Sequence, residues 1–570
     1  MLPIRSEHPP TDRTDAIGPE AARSGADRSP PTRSGRVASE ARAPRAGGTR
    51  ASAVALLAAT TVALGACGDG AGNDDSPPRA ADALDWRACA TERAPTLECA
   101  TLAVPLVHDD PDDGRELLID LARLPADGVA GGSAADDAPS RALVLNPGGP
   151  GARGTTLVEA LAEIATVPAA VRARFDLVGF DPRGTGESAL VDCEDVGYAD
   201  VDDYLDDREA IERYAAETTA AAARCVERHG DVLEHLGSNA VVRDMELLRE
   251  ALGVETLDFL GYSYGTRLAA LYLERFPERA GRFVLDGSVA PDGSTERLVA
   301  GQLVGFERNL EALFGDCGTR VPGCDYASFV RALAARIEAL GAEDVDGPDG
   351  SGPLDESSLF PVLLLLALQD PEFGELAAKP LIGYVESGDV GVLVEFVALL
   401  EALGIDLEEA VGEDEDDATA ARAVLCADDP ARPDVDETLD MLARLEDASD
   451  LFAEAALALA VGCSGWPATS DPVGPITTRT APPALVIGGT SDAQTLLEWA
   501  PEMAEAIGGV FLASDHPGHT VALQGESACV DAAVTAFLIE GTLPTSRSCT
   551  AEPAVAANGE HGADVTATAR

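Results

Sequence analysis

Cations are scarce in this sequence. Its 570 residues carry 41 Lys and Arg against 99 Asp and Glu, a formal charge of -58. Nucleic-acid binding needs Lys and Arg facing phosphates, so this deficit argues against it. The acidity reads as a solvated surface, with a preference for cationic substrates as the alternative. Histidine is also scarce, at seven residues, so a catalytic imidazole has few candidates. No Cys-x-x-Cys pair and no Cys/His cluster with zinc spacing occurs, and no metal is implied. The Gly-Lys-Ser/Thr phosphate loop and the dinucleotide fingerprint are missing, and no cofactor is implied. No internal repeat is present. The apolar run Ala53 to Ala66 is too short to span a bilayer comfortably.

What is present suits two domains, or one with a large insertion. A hydrophobic content of 46% is ample for a core. Residues 1–50, rich in Arg, Pro, Ser, Gly and Ala without an apolar period, read as a disordered leader. Residues 51–67 read as a lipoprotein-type signal peptide. The run ends Leu64-Gly65-Ala66-Cys67, which resembles the bacterial signal whose cysteine is lipidated and becomes the new N-terminus. A secretory signal cleaved elsewhere is the alternative. The basic leader is long for such a signal, which leaves a start downstream of Met1 open. Residues 68–84 read as a flexible tether. The expected location is extracytoplasmic, lipid-anchored at the membrane or secreted. With Cys67 set aside, ten of the eleven cysteines remain, and export makes disulfides reasonable. Sequence neighbours suggest Cys89–Cys99, Cys193–Cys225, Cys317–Cys324, Cys426–Cys463 and Cys529–Cys549.

From Leu117 onward strands and helices alternate. Apolar strands are expected at 117–124, 142–146, 175–180, 257–262, 282–285, 484–487 and 510–513, and helices at 155–164, 208–229, 240–252, 496–507 and 529–539. Such alternation predicts a mainly parallel sheet flanked by helices. Around Ser288 it stops, and residues 290–475 read as an inserted, mostly helical cap. The sheet domain is then 85–289 and 476–550, with a disordered tail over 551–570.

The stretch Gly261-Tyr262-Ser263-Tyr264-Gly265 lies between an apolar run and a helical one. Gly-x-Ser-x-Gly at a strand-to-helix turn is a nucleophile elbow, in which the glycines let strand and helix approach and the serine stands at the apex. A serine hydroxyl needs a base and a third group to hold that base. In this fold the acid and then the histidine follow the serine. Asp492, in Gly488-Gly489-Thr490-Ser491-Asp492, lies just past a strand end; Asp286, after the strand 282–285, is the rival acid. His8 and His561 lie in the leader and tail, and His108, His229 and His235 precede the elbow. That leaves His519 and His516, of which His519 is preferred because Gly518 frees the backbone to turn it inward. Oxyanion donors are expected from the Tyr264 N–H and from Asn146-Pro147-Gly148-Gly149-Pro150-Gly151, with the Gly149 N–H preferred over Gly148. Asp181-Pro182-Arg183-Gly184 reads as structural, with Arg183 and Asp181 bracing loops beneath the site.

Together, Asn-Pro-Gly-Gly-Pro-Gly, Phe180-Asp-Pro-Arg-Gly-Thr-Gly, Gly-Tyr-Ser-Tyr-Gly-Thr, Gly-Gly-Thr-x-Asp and Gly-His-Thr resemble the α/β-hydrolase exopeptidases of the proline iminopeptidase and secreted tripeptidyl aminopeptidase group. The resemblance covers roughly residues 85 to 550. It implies an α/β-hydrolase fold with a cap, a triad of Ser263, Asp492 and His519, no metal, and cap carboxylates that bind a substrate ammonium group. The family's Asp-x-x-Thr-Pro is here Asp492-Ala493-Gln494-Thr495-Leu496, which keeps Thr and lacks Pro. The expected activity is an exported serine aminopeptidase acting on peptides with free N-termini. A carboxylesterase or lipase-like hydrolase is the alternative, and a non-catalytic surface binding protein ranks behind both.

Overall fold

The computed structural model describes residues 84–91, 94–128, 141–186, 188, 191, 193, 205, 208–315, 325–341, 363, 371–402, 415–449, 451–477 and 483–549. The expected leader, signal segment and Cys67, the tether up to residue 83, the Cys317–Cys324 pair and the tail lie outside them.

The described strands are β1 (Arg87–Ala88), β2 (Glu98–Pro105), β3 (Glu116–Leu124), β4 (Arg141–Asn146), β5 (Phe175–Phe180), β6 (Leu257–Tyr262), β7 (Ala280–Asp286), β8 (Leu485–Gly489), β9 (Val510–Ser514) and β10 (Ser548–Cys549). They form one sheet in the order β1-β2-β3-β5-β4-β6-β7-β8-β9-β10. The first three neighbouring pairs run antiparallel. The other six run parallel.

The early helices are α1 (Gly154–Ile164), α2 (Ala169–Arg172), α3 (Arg208–His229), α4 (Ser238–Ala251), α5 (Gly265–Arg275) and α6 (Thr295–Phe314). Every residue of β6 is buried, as befits a central parallel strand covered on both faces. Successive side chains go to opposite faces. Phe259 packs with Met245 of α4, Leu268 and Tyr272 of α5, and Met503 of the helix Trp499–Ile507. Leu260 packs on the other side with Val158 of α1 and Val534 of the helix Ala528–Glu540.

Sequence periodicity did not indicate β2. Its buried Ala100, Leu102 and Val104 alternate with the exposed Thr101 and Ala103, and residues this small give a faint two-residue rhythm. The expected helix from 496 begins at Trp499, because the turn Asp492–Thr495 takes up the preceding residues by hydrogen bonding to itself.

After β7 come α6 and the helices Tyr326–Gly341, Pro371–Ser387, Gly391–Ala402, Glu415–Asp428, Val435–Glu446 and Ala453–Val461. All of these except Glu415–Asp428 build a separate core around Leu303, Phe314, Phe329, Leu381, Leu442 and Phe452. Ile211 and Tyr214 of α3 are buried in that same cluster, so this lobe draws on chain from before the elbow as well as after β7. Four of the five expected disulfides fall on described residues, and all four are formed: Cys89–Cys99, Cys193–Cys225, Cys426–Cys463 and Cys529–Cys549.

Candidate active site

Ser263 stands between β6 and α5 with φ at 52°, in the left-handed region that disfavours a side chain. The surroundings hold it there. Its N–H donates to the Asp286 carbonyl at 2.9 Å, and its own carbonyl accepts from the Thr266 N–H at 2.9 Å and the Thr266 hydroxyl at 2.6 Å. A Cβ on Gly265 would lie 2.7 Å from Asn146 Oδ1, and one on Gly261 would strike the Gly265 carbonyl. The turn therefore excludes side chains at both flanking positions.

The loop after β4 closes on the same point. A Cβ on Gly148 would come within 2.9 Å of the Tyr264 nitrogen. The Gly148 N–H is already committed to Asn146 Oδ1 at 3.1 Å. The Gly149 N–H bonds to no described residue, which leaves it as the donor of that pair that a substrate can use.

Asp492 lies just past β8 with its side chain fully buried. Its carboxylate accepts from the Gln494 and Thr495 N–H groups, each at 2.9 Å, and from the Thr495 hydroxyl at 2.7 Å. His519 Nδ1 stands 2.9 and 3.0 Å from the two carboxylate oxygens. That pairing fixes the tautomer with the proton on Nδ1, and Nε2 is buried without a hydrogen bond. Burial pulls the His519 pKa down. The charge and hydrogen bond of Asp492, with a smaller contribution from Asp286, more than offset this, and the imidazole ends above its ordinary value.

Asp286 does not bond to the imidazole. Its Oδ2 accepts the Val521 and Ala522 N–H groups, both at 2.7 Å, and so clamps the loop that carries His519. Burial raises this carboxyl to about 6, against the two backbone donors. Gly287 follows, and a Cβ there would lie 3.0 Å from His519 Cε1. Ser263 and His519 thus border the same dipeptide, Asp286-Gly287. His516 lies apart, 3.6 Å from the partly exposed Glu526.

Two supports come from farther away. Arg183 is fully buried and binds Asp244 through Nε at 2.7 Å and Nη2 at 2.6 Å, and the carbonyls of Pro105, Leu106 and His235. Asp181 accepts from the Thr155 N–H and hydroxyl at 2.9 and 3.0 Å. Arg183 thus joins the segment after β2 to the chain around α4, whereas Asp181 holds the first turn of α1 rather than a loop. On the lobe side, Gly305 of α6 packs directly on Ala493, and Asn309 donates to the Ser491 carbonyl at 3.2 Å. Nothing in the sequence pattern pointed to this grip on the acid loop.

Comparison with known proteins agrees in kind. Residues 141–371 match a model of the alpha/beta hydrolase fold, and residues 449–549 match one described as TAP-like protein. The chain is 31% identical over 505 residues to "Serine protease Hip1" of Mycobacterium tuberculosis, covering 82% of this chain and 91% of that one. It is 32% identical over 508 residues to "Carboxylesterase B" of the same species, covering 84% and 92%. Identity to "Tripeptidyl aminopeptidase" of Streptomyces lividans is 27% over 479 residues, covering 80% and 84%.

Proposed function

The chain belongs to the α/β-hydrolase family, and from that premise we propose that Ser263, His519 and Asp492 form its catalytic triad and that it removes short peptides or single residues from free N-termini. One observation carries this reading: His519 is held through Nδ1 by buried Asp492, with Nε2 unpartnered, beside the strained elbow serine. In the mechanism His519 Nε2 takes the Ser263 proton as Oγ attacks the scissile carbonyl. The Gly149 and Tyr264 N–H groups receive the oxyanion. Collapse expels the amine, protonated by His519, and water then releases the acyl group by the same steps.

The TAP-like match and the likeness to a tripeptidyl aminopeptidase support an exopeptidase. An acidic protein of charge -58 also attracts a substrate ammonium. An ester hydrolase is the second reading, supported by the likeness to a carboxylesterase. Tripeptide and single-residue p-nitroanilides, each with a free or acetylated N-terminus, separate the two when run beside p-nitrophenyl esters. Acetylation is expected to lower kcat/KM about a hundredfold, the effect of losing one charge-assisted contact worth about 2–3 kcal/mol. Indifference to acetylation, with esters the better substrates, would favour the esterase.

The same reading puts the enzyme outside the cytoplasm, with a lipid on Cys67 or released. Four disulfides among the described residues support export. Metabolic labelling with palmitate should mark the membrane-bound wild type and spare Cys67→Ala. An unlabelled protein in the cytoplasm would overturn this localisation.

A further inference from the structure

The side chain of Tyr264 leads away from the elbow into a buried polar junction. Its hydroxyl donates to Asp428 Oδ2. Ser238 Oγ lies 2.8 Å from the same hydroxyl. The phenol's one proton is committed to the carboxylate, so Ser238 is the donor to Tyr264. Asp428 Oδ1 accepts the Ser238 N–H at 2.6 Å. Ser238 opens α4, and the N-cap before it is Gly237, which has no side chain to cap with. Asp428 therefore caps α4 from another part of the chain. A Cβ on Gly237 would stand 3.0 Å from Asp428 Oδ1, so the glycine makes room for the visiting carboxylate. Arg267 of α5 supplies the compensating charge 3.9 Å from Asp428, and its guanidinium lies 5.1 Å from the Tyr264 ring centroid.

Asp428 is itself held firmly. It is the last residue of the helix Glu415–Asp428, two positions after Cys426, which is bonded to Cys463. Its carbonyl accepts the Val473 N–H at 2.9 Å. The next residue, Asp429, accepts the N–H of Thr295 at the start of α6 at 3.0 Å. That same helix grips the acid loop at Ala493 and Ser491. Tyr264, Ser238, Arg267 and Asp428 are all nine-tenths or more buried. Burial pushes both the Tyr264 phenol and the Asp428 carboxyl above their ordinary values.

We propose that Asp428 is a positioning residue for acyl transfer: by anchoring the Tyr264 side chain, it fixes the direction in which the Tyr264 backbone N–H meets the developing oxyanion. The inference rests on the proposed triad. The physical reason is leverage. Tyr264 follows a serine held at φ 52°, so the peptide carrying the N–H sits in a strained turn. The ring is packed against Val424 and Leu425 and lies beside the Arg267 guanidinium, and the hydroxyl carries the hydrogen bonds of that side chain. Releasing the tie lets the peptide plane tilt. Oxyanion donors act only when already aimed, and loss of one costs about a hundredfold to a thousandfold in kcat. A tilted donor should cost less, about tenfold to a hundredfold.

Tyr264→Phe tests this while keeping the ring and its packing. Rates are taken per site titrated to completion with a fluorophosphonate, so that unfolded protein does not count. The expected result is a kcat reduced about tenfold to a hundredfold, KM within about twofold, and affinity for phenylboronic acid, which forms a tetrahedral adduct with the serine, weakened in proportion to kcat. Asp428→Asn, which retains an acceptor oxygen, should show the same pattern more weakly and serves if the tyrosine variant does not fold. Unchanged kcat and boronate affinity in both variants, with Ser263→Ala inactive, overturn this inference alone. An active Ser263→Ala overturns the reading beneath it.

Discussion

Ser263→Ala is expected to lower turnover by about six orders of magnitude, the scale seen when a serine nucleophile is removed from a complete triad. The protein should fold unchanged. Ser263 Oγ bonds to no described residue, whereas the backbone bonds that hold the elbow use the Ser263 N–H and carbonyl. Alanine keeps those bonds. Ser263→Gly sharpens the result. With φ at 52°, glycine relieves a conformation that costs a side-chain residue about 1 kcal/mol. The glycine variant should therefore be as inactive as the alanine variant and melt no lower than wild type. Kinetics on the best peptide substrate and a thermal melt check both halves. Activity in either variant within tenfold of wild type would remove Ser263 from the mechanism.

The second large effect separates two carboxylates. Asp492→Asn should lower kcat about a thousandfold to ten-thousandfold, because the amide no longer dictates a proton on His519 Nδ1 or stabilises the imidazolium. Asp286→Asn should keep most of the activity. Its amide oxygen can still accept the Val521 and Ala522 N–H groups that the carboxylate accepts now. What it removes is a negative charge that helps hold the His519 pKa up. Catalysis requires the neutral imidazole, so rate is lost as pH falls through that pKa. Lowering the pKa must move the acid limb of kcat/KM to lower pH in Asp286→Asn. A limb moved to higher pH, or a loss equal to that of Asp492→Asn, would exchange the roles of the two carboxylates.

The readable parts of this molecule were those written in consecutive residues. The elbow, the Pro-Gly-Gly-Pro loop and the strand runs each carry their reason locally: a glycine where two backbones touch, an apolar run where a strand is covered on both faces. The sheet followed from that alternation, except for the two-residue strands β1 and β10, too short to show a period, and β2, whose alternating residues are too small to give a strong one. Asp492 and Asp286 look alike in sequence, since each follows an apolar strand. Geometry divides them, because one meets the imidazole and the other the backbone that carries it. Gly305 and Asn309 on α6, and Asp428 at the end of its helix, had no local signature. The side-chain hydrogen bonds of Asp428 to Tyr264 and Ser238 span 164 and 190 residues, and the bond from Asn309 to Ser491 spans 182; nothing in Cys426-Ala427-Asp428-Asp429-Pro430 announces a helix cap or a tyrosine anchor. The nearby cysteine was the one available hint that this turn is fixed in place.

The central claim is that the Asp492–His519 pair activates the Ser263 hydroxyl. Reaction with a fluorophosphonate, followed by peptide mapping of the adduct, measures that activation without choosing a substrate. A single adduct on Ser263, absent from Ser263→Ala and formed at least about a hundredfold more slowly in His519→Ala, is the predicted result. Labelling on another residue, or labelling of Ser263 at the same rate without His519, would contradict it.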